Sequence, residues 1–242
     1  MMFRSLLISC LIFVVIAAPF PASAGVGEKI VQHAAGDVTN TFFSWPILLL
    51  LGGGAVSGGL SRIDGDVQKH FTHPHLGEIN TIIDDVGPAY VLDPAAAAVW
   101  GMGKLIKNDE VAFTGENLFE ALIFTQALTG WTKIVADRQR PNGDKWGFPS
   151  DHTAEFFSIA TVLTSLYGPY AAIPSYLVAG FVGYSRIDSN SHYLSDVVMG
   201  AVIGTAVGWG VTRFHKKERA SRFVVLPMAM KGSLGMAISY TF

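Results

Sequence analysis

The chain has 242 residues, 50% of them hydrophobic, 12% aromatic and only 15% charged. That composition excludes a disordered segment, and a formal net charge of -2 excludes the basic surface a nucleic-acid partner needs. A mean hydropathy of +0.38 is high for a soluble domain, so a membrane or an export signal must enter the reading from the start.

Residues 1–24 have the pattern of a signal peptide. Arg4 is the positive n-region, Leu6–Ala17 the apolar h-region, and Ala22-Ser23-Ala24 an A-x-A cleavage site before Gly25. The single cysteine, Cys10, lies inside it, so the chain beyond is expected to have no disulfide and no thiol chemistry. Six apolar stretches then predict helices: Phe42–Leu60, Pro88–Ile106, Asn117–Ala136, Thr153–Leu166, Ala171–Tyr184 and Leu194–Phe214. Most are shorter than the roughly 20 apolar residues that cross a bilayer, which suits a compact bundle or short spans.

The glycine runs at 52–54 and 58–59 are expected to serve close helix packing, since no lysine follows to make a phosphate loop. Trp131 and Trp146 are expected in the core. His70, His73 and His75 share a polar loop, but no cysteine or spaced carboxylate completes a site, so no metal or cofactor is expected. The last helix ends in a basic run from Arg213 to Arg222, which would face the cytoplasm in a membrane protein or complement the helix dipole in a soluble one. Phe223–Met230 and Leu234–Phe242 flank Lys231-Gly232-Ser233, and the second segment alternates Met236, Ile238, Tyr240 and Phe242 with small residues, predicting a β-hairpin. The expected architecture is all-α: a bundle of about six helices over 25–222 with a short C-terminal β-hairpin over 223–242.

Between 133 and 196 the polar residues fall into three groups. Lys133 and Arg140 are seven positions apart, nearly two helical turns, which would put both cations on almost one face before Pro141 ends the helix. Pro149-Ser150-Asp151-His152 precedes an apolar helix; Ser150 is a natural N-cap, and a helix N-terminus with free N–H groups binds anions. Ser185-Arg186 is followed by His192 and Asp196, an i,i+4 pair in which the carboxylate would fix the imidazole tautomer and leave the other nitrogen free to attack. The short Tyr167–Tyr170 turn would fold two helices antiparallel and return Arg186 and His192 to the level of His152. Three cations and aligned N–H groups fit a tetrahedral oxyanion that gains charge in its transition state.

These groups resemble the signature of the type 2 phosphatidic acid phosphatase superfamily, which also holds bacterial acid phosphatases and vanadium haloperoxidases. That signature, K-x6-R-P, P-S-G-H and S-R-x5-H-x3-D, is matched here at every specified position but one, where Asp151 stands for the family glycine. The resemblance covers roughly residues 117–212. It implies that His192 attacks phosphorus to form a phosphohistidine, that Asp196 orients it, and that His152 protonates the leaving oxygen. It implies that Lys133, Arg140 and Arg186 hold the phosphate oxygens, helped by Ser150 and the backbone N–H of Asp151, and that vanadate inhibits. Asp151 would either repel a phosphate or, at the first helical position, favour the helix dipole and point away, and the Pro141–Pro149 loop is short for the family. The expected activity is metal-independent hydrolysis of phosphate monoesters or diphosphates, directed by the hydropathy and the envelope setting at lipid-linked ones on the periplasmic face of a Gram-negative envelope, with membrane association and no nucleic-acid partner. A vanadium-dependent haloperoxidase and a non-catalytic anion-binding envelope protein are the alternatives.

Overall fold

The computed structural model describes residues 24–71, 73–221, 223–230 and 233–240. The expected signal peptide therefore lies, apart from Ala24, outside the described residues. Nine helices form among the described residues rather than about six. They are α1 (Ala24–Phe42), α2 (Pro46–Leu60), α3 (Asp64–His70), α4 (Glu78–Val86), α5 (Ala89–Leu105), α6 (Asp109–Ala136), α7 (Asp151–Tyr167), α8 (Pro169–Asp188) and α9 (Leu194–Ser221). Strands β1 (Phe223–Met230) and β2 (Ser233–Tyr240) follow and pair antiparallel, Phe223 opposite Tyr240.

Local chemistry explains the boundaries that differ from expectation. Pro46, at the first turn of α2, starts a new helix instead of letting one run through from Phe42, and the chain bends by 58° between α1 and α2. Helix α6 starts eight residues before Asn117, because the Asn108 side chain caps it by accepting from the Glu110 and Val111 N–H groups, both at 3.1 Å. Asp109 and Glu110 then sit favourably at the positive end of its dipole. Gly168, at φ 75°, ends α7, and Pro169 opens α8, giving the expected antiparallel turn. Helices α3 and α4 arise in a stretch expected as polar loop.

Helix α9 runs through the middle of the bundle, packed on α7, α2, α1 and α6. Its Ile203, Val207 and Val211 form the apolar core with Ala121 and Val162. Against α7 it presents Gly200, Gly204 and Gly208. A Cβ at these positions would lie 2.5 Å from the Ser150 carbonyl oxygen, 2.0 Å from that of Ala154 and 2.7 Å from that of Ser158. The two backbones therefore touch, as small-xxx-small helix pairs do. This contact sets the first turns of α7 and α9 side by side, and the Ser150 N–H donates to the Asp196 carbonyl at 3.1 Å. In the glycine runs of α2 only Gly53 meets another element, against Val202; the rest face open space. Trp146 is exposed, not in the core, and Trp131 is half-buried.

The interior is rich in small polar residues, Asn117, Thr125, Thr129, Ser158 and Thr161 among them. Large apolar side chains point outward instead: Ile173, Leu177, Phe181 and Tyr184 make an exposed stripe along α8. By length and composition Leu194–Ala220 is able to cross a membrane, and the bent pair Val31–Phe42 and Pro46–Leu60 qualifies as a second, broken span.

Candidate active site

Helix α6 stops at Ala136, because Asp137 adopts the left-handed conformation (φ 41°, ψ 41°). Arg140 consequently stands in a loop and not on the helical face of Lys133, as its spacing had suggested. The loop turns tightly: Arg140 N–H donates to the Asp144 carbonyl at 2.8 Å, and Gly143 N–H to the Arg140 carbonyl at 3.0 Å. Lys133, at the buried end of α6, donates to the carbonyls of Trp146 (2.7 Å) and Pro149 (2.9 Å) and so ties this loop to the start of α7. Its ammonium also lies 3.2 Å from Asp151 Oδ2.

Ser150 holds the N-cap position of α7 with extended backbone, but its hydroxyl makes no capping bond. It accepts from Thr153 Oγ1 at 3.0 Å instead. The first turn of α7 thus keeps N–H donors without a side-chain cap, the arrangement that draws anions. His152 stands in that turn against Gly87 of the α4–α5 junction, where a Cβ would lie 2.2 Å from the imidazole. Burial first, and the Arg186 guanidinium second, push its pKa from 6.5 down to about 4.

His192 lies two residues before α9 rather than in its first turn, and it is buried. Its backbone N–H donates to the Arg186 carbonyl at 3.0 Å. Its Nδ1 sits 2.6 Å from the Gly147 carbonyl oxygen, whereas Asp196 Oδ2 is 3.7 Å away. The expected Asp196 hydrogen bond is therefore replaced by one to a backbone carbonyl. A carbonyl only accepts, so Nδ1 carries the proton and Nε2 of the neutral ring keeps its lone pair. Burial pushes the His192 pKa down, with Arg140 and Lys133 adding to the shift and Asp196 opposing it.

Asp196 is committed elsewhere. Its Oδ2 accepts from the Tyr193 N–H at 2.9 Å, closing the first turn of α9 as half of a capping box. Its Oδ1 accepts from Arg138 Nη1 at 2.7 Å. Arg138 also donates to Ser195 Oγ (2.6 Å) and Asp64 Oδ2 (2.7 Å), and it stacks on the Tyr193 ring. Arg186 is almost wholly buried; its Nη1 donates to Asp84 Oδ1 and its Nη2 to Ser185 Oγ at 3.2 Å. Ser185 in turn donates to Asn80, whose amide donates to Asp188. Asp188 also accepts from the backbone of His75 and Leu76 and from the His75 ring. Although burial opposes it, these bonds hold the Asp188 carboxyl well below the usual carboxylate range. His75 thereby anchors its loop to α8.

Arg138, Asp64, Asp84 and the Gly147 carbonyl were not singled out from sequence. Arg138 was legible in part, lying two residues before Arg140, but its partner Asp64 is too distant in the chain to suggest the pairing.

Three buried nitrogens here have no hydrogen-bond partner among the described residues: Arg140 Nε, Arg186 Nε and His152 Nε2. With Lys133 and the uncapped turn of α7 they form a cradle of buried nitrogens and free N–H groups at one end of a helix bundle, beside a neutral imidazole of fixed tautomer. Residues 116–220 match the model of the PAP2 superfamily. The fold resembles the transmembrane PAP2 type phosphatidylglycerolphosphate phosphatase of Bacillus subtilis (TM-score 0.60, 21% identity, 71% of this chain and 96% of that one). It also resembles Aquifex aeolicus LpxE (TM-score 0.51, 26% identity, 63% of this chain and 93% of that one). In sequence, 80 residues are 44% identical to the lipid A 1-phosphatase of Porphyromonas gingivalis, covering 31% of this chain and 18% of that protein. A further 130-residue match is 25% identical to the lipid A 4'-phosphatase of the same organism, covering 47% of this chain and 55% of that protein. The chain thus spans about a fifth and about half of these two curated relatives.

Proposed function

We propose that the chain is a phosphoric ester hydrolase that removes phosphate from a lipid-linked monoester or diphosphate on the exported face of the envelope. The observation that carries this reading is the set of orphaned buried donors, Arg140 Nε, Arg186 Nε and His152 Nε2, around the neutral His192. A phosphate group offers each an acceptor.

In the proposed reaction Lys133, Arg140, Arg186 and the first N–H groups of α7 hold the phosphoryl oxygens, and Ser150 lines the cradle. His192 Nε2 attacks phosphorus as the bond to the leaving oxygen breaks, and His152, protonated once the negative charge of the bound phosphate offsets burial and Arg186, gives its proton to that oxygen. Water then attacks the phosphohistidine with His152 taking its proton, releasing phosphate and restoring His192. Asp196, through Arg138 and the Tyr193 N–H, positions the His192 segment.

A lipid substrate and membrane association are supported by the outward apolar stripe of α8 and by the membrane-competent length of α9. The relatives named for lipid A phosphatases make a lipid A phosphate the first substrate to try. The test is phosphate release by the detergent-purified protein from lipid A, phosphatidylglycerophosphate and phosphatidic acid. Release that vanadate inhibits and His192→Asn abolishes is expected; no release from any of them would sink the reading.

A further inference from the structure

A second cluster lies at the other end of the bundle. Helices α1, α6 and α9 bring His33, Glu120 and His215 together, with one ligand-capable atom from each inside a 4.8 Å span. The Glu120 carboxylate bridges the rings: Oε1 is 2.9 Å from His33 Nδ1 and Oε2 is 2.8 Å from His215 Nε2. The far nitrogen of His33, Nε2, lies 3.4 Å from Glu218 Oε2, as an outer carboxylate orients a metal-bound imidazole. Phe214 packs edge-on to both rings and shields one side.

Asp37 adds an independent sign. It is one turn on from His33, on the same face of α1, and is 5% exposed. It lies within electrostatic range of Glu120 and His215, yet its Oδ1 has no hydrogen-bond partner among the described residues. The ion pairs of Glu120 among the described residues are both with imidazoles. Asp37 is thus a buried carboxyl beside the partly buried Glu120 carboxylate, both near imidazoles, and a cation joining the group would satisfy the orphaned oxygen.

We propose that His33, Glu120 and His215, with Asp37 as fourth donor, form a binding site for a divalent transition metal of the zinc type that pins α1 to α6 and α9. Two imidazoles and carboxylate oxygen are a donor set zinc accepts, with bonds of about 2.0–2.2 Å; the ligand atoms of His33, Glu120 and His215 already lie within 4.8 Å of one another, and Asp37, one turn from His33, would swing in to complete the set. Glu120 and Lys133 share α6 and are about 20 Å apart along its axis, so the ion would brace the bundle without touching the phosphate cradle.

The test uses the full-length protein in detergent, stripped with a chelator and titrated with Zn2+ alone. Bound zinc is counted by mass spectrometry, unfolding is followed thermally, and Co2+ is used as a spectroscopic reporter. One zinc per chain, a raised unfolding temperature and a tetrahedral Co2+ spectrum are expected. Glu120→Gln and His33→Gln should each weaken zinc binding at least tenfold, while His73→Gln, at an exposed imidazole elsewhere, should not. His33 is half-exposed, so its variant keeps the test open if Glu120→Gln fails to fold. Absence of stoichiometric zinc, or zinc retained in full by a folded His33→Gln protein, overturns the proposal.

Discussion

His192 Nδ1 and the Gly147 carbonyl oxygen are 2.6 Å apart, closer by more than an ångström than the same nitrogen is to Asp196 Oδ2. The loop between α6 and α7, and not the carboxylate one turn downstream, sets the protonation of the ring. This separates two roles that a motif places on one pair of residues: tautomer control belongs to a backbone carbonyl, and Asp196 builds the helix start on which His192 rests.

The separation is measurable. His192→Asn should abolish turnover, by on the order of a thousandfold or more, because the attacking atom is gone. Asp196→Asn keeps a carbonyl oxygen for Tyr193 N–H or Arg138 and leaves the Gly147 bond in place, so its loss should be smaller, about 10- to 100-fold, and accompanied by a lower unfolding temperature. Single-turnover rates and melting curves of the two variants decide it. Equal losses of rate with an unchanged melting curve for Asp196→Asn would contradict the assignment.

Arg138 should prove a positioning residue. It is the counter-charge of both Asp64 and Asp196, each almost wholly buried, so Arg138→Met leaves two carboxylates without their partner. Breaking a buried pair costs about 3–5 kcal/mol, and the 28% exposure of the guanidinium side chain favours the low end. A fall in unfolding temperature of roughly 10 °C is expected. Adding Asp64→Asn should recover part of it, since one stranded charge is then removed. Failure of the double variant to recover any stability would argue against the network.

The residues at fixed spacing were legible: Lys133, Ser150, His152, Arg186, His192 and Asp196 all stand around the start of α7. What was not legible depends on backbone or on distant pairing. A carbonyl such as that of Gly147 has no sequence signature, since every residue has one. The apolar stretch ended at Ala136, as α6 does, but the Lys133–Arg140 spacing ran the helix on to Pro141, because the left-handed residue that stops it is Asp137 and not a glycine. Arg138 and Asp64 are 74 positions apart, and only the packing of α3 beside α9 joins them. The helix count fell short by three: α1 lies before the first apolar stretch, in a segment broken by Gln32, His33, Asp37 and Asn40, and α3 and α4 are brief, all three without the long apolar period that marks α6 to α9.

Two cations of the cradle carry internal counter-ions: Lys133 faces Asp151, and Arg186 faces Asp84. A phosphate has to displace or share these pairs. Asp151→Gly and Asp84→Asn are therefore each expected to tighten inhibition by vanadate and inorganic phosphate about 3- to 10-fold, corresponding to roughly 1 kcal/mol for a partly exposed pair. Asp84, being 52% exposed, should have the smaller effect. Competitive inhibition constants at constant ionic strength give the comparison. If both variants bind vanadate no better than the parent, the two carboxylates do not compete with the ligand.

Protonation of His152 should be visible in stability as well as in chemistry. Its pKa falls from 6.5 in the unfolded chain to about 4 in the folded one, so between these values the unfolded state binds the extra proton. Stability must then drop as pH is lowered from 6.5 towards 4, and the drop ends once both states are protonated. His192 shifts in the same direction and adds to it. His152→Gln removes one contributor, so its loss of stability over this window should be shallower than that of the parent. Denaturant midpoints at pH 6.5, 5.5 and 4.5 test this, the variant serving to subtract every other titrating group. Parallel curves for the two proteins would mean that the ring is not desolvated in the cradle, and a steeper curve for the variant would reverse the sign argued here.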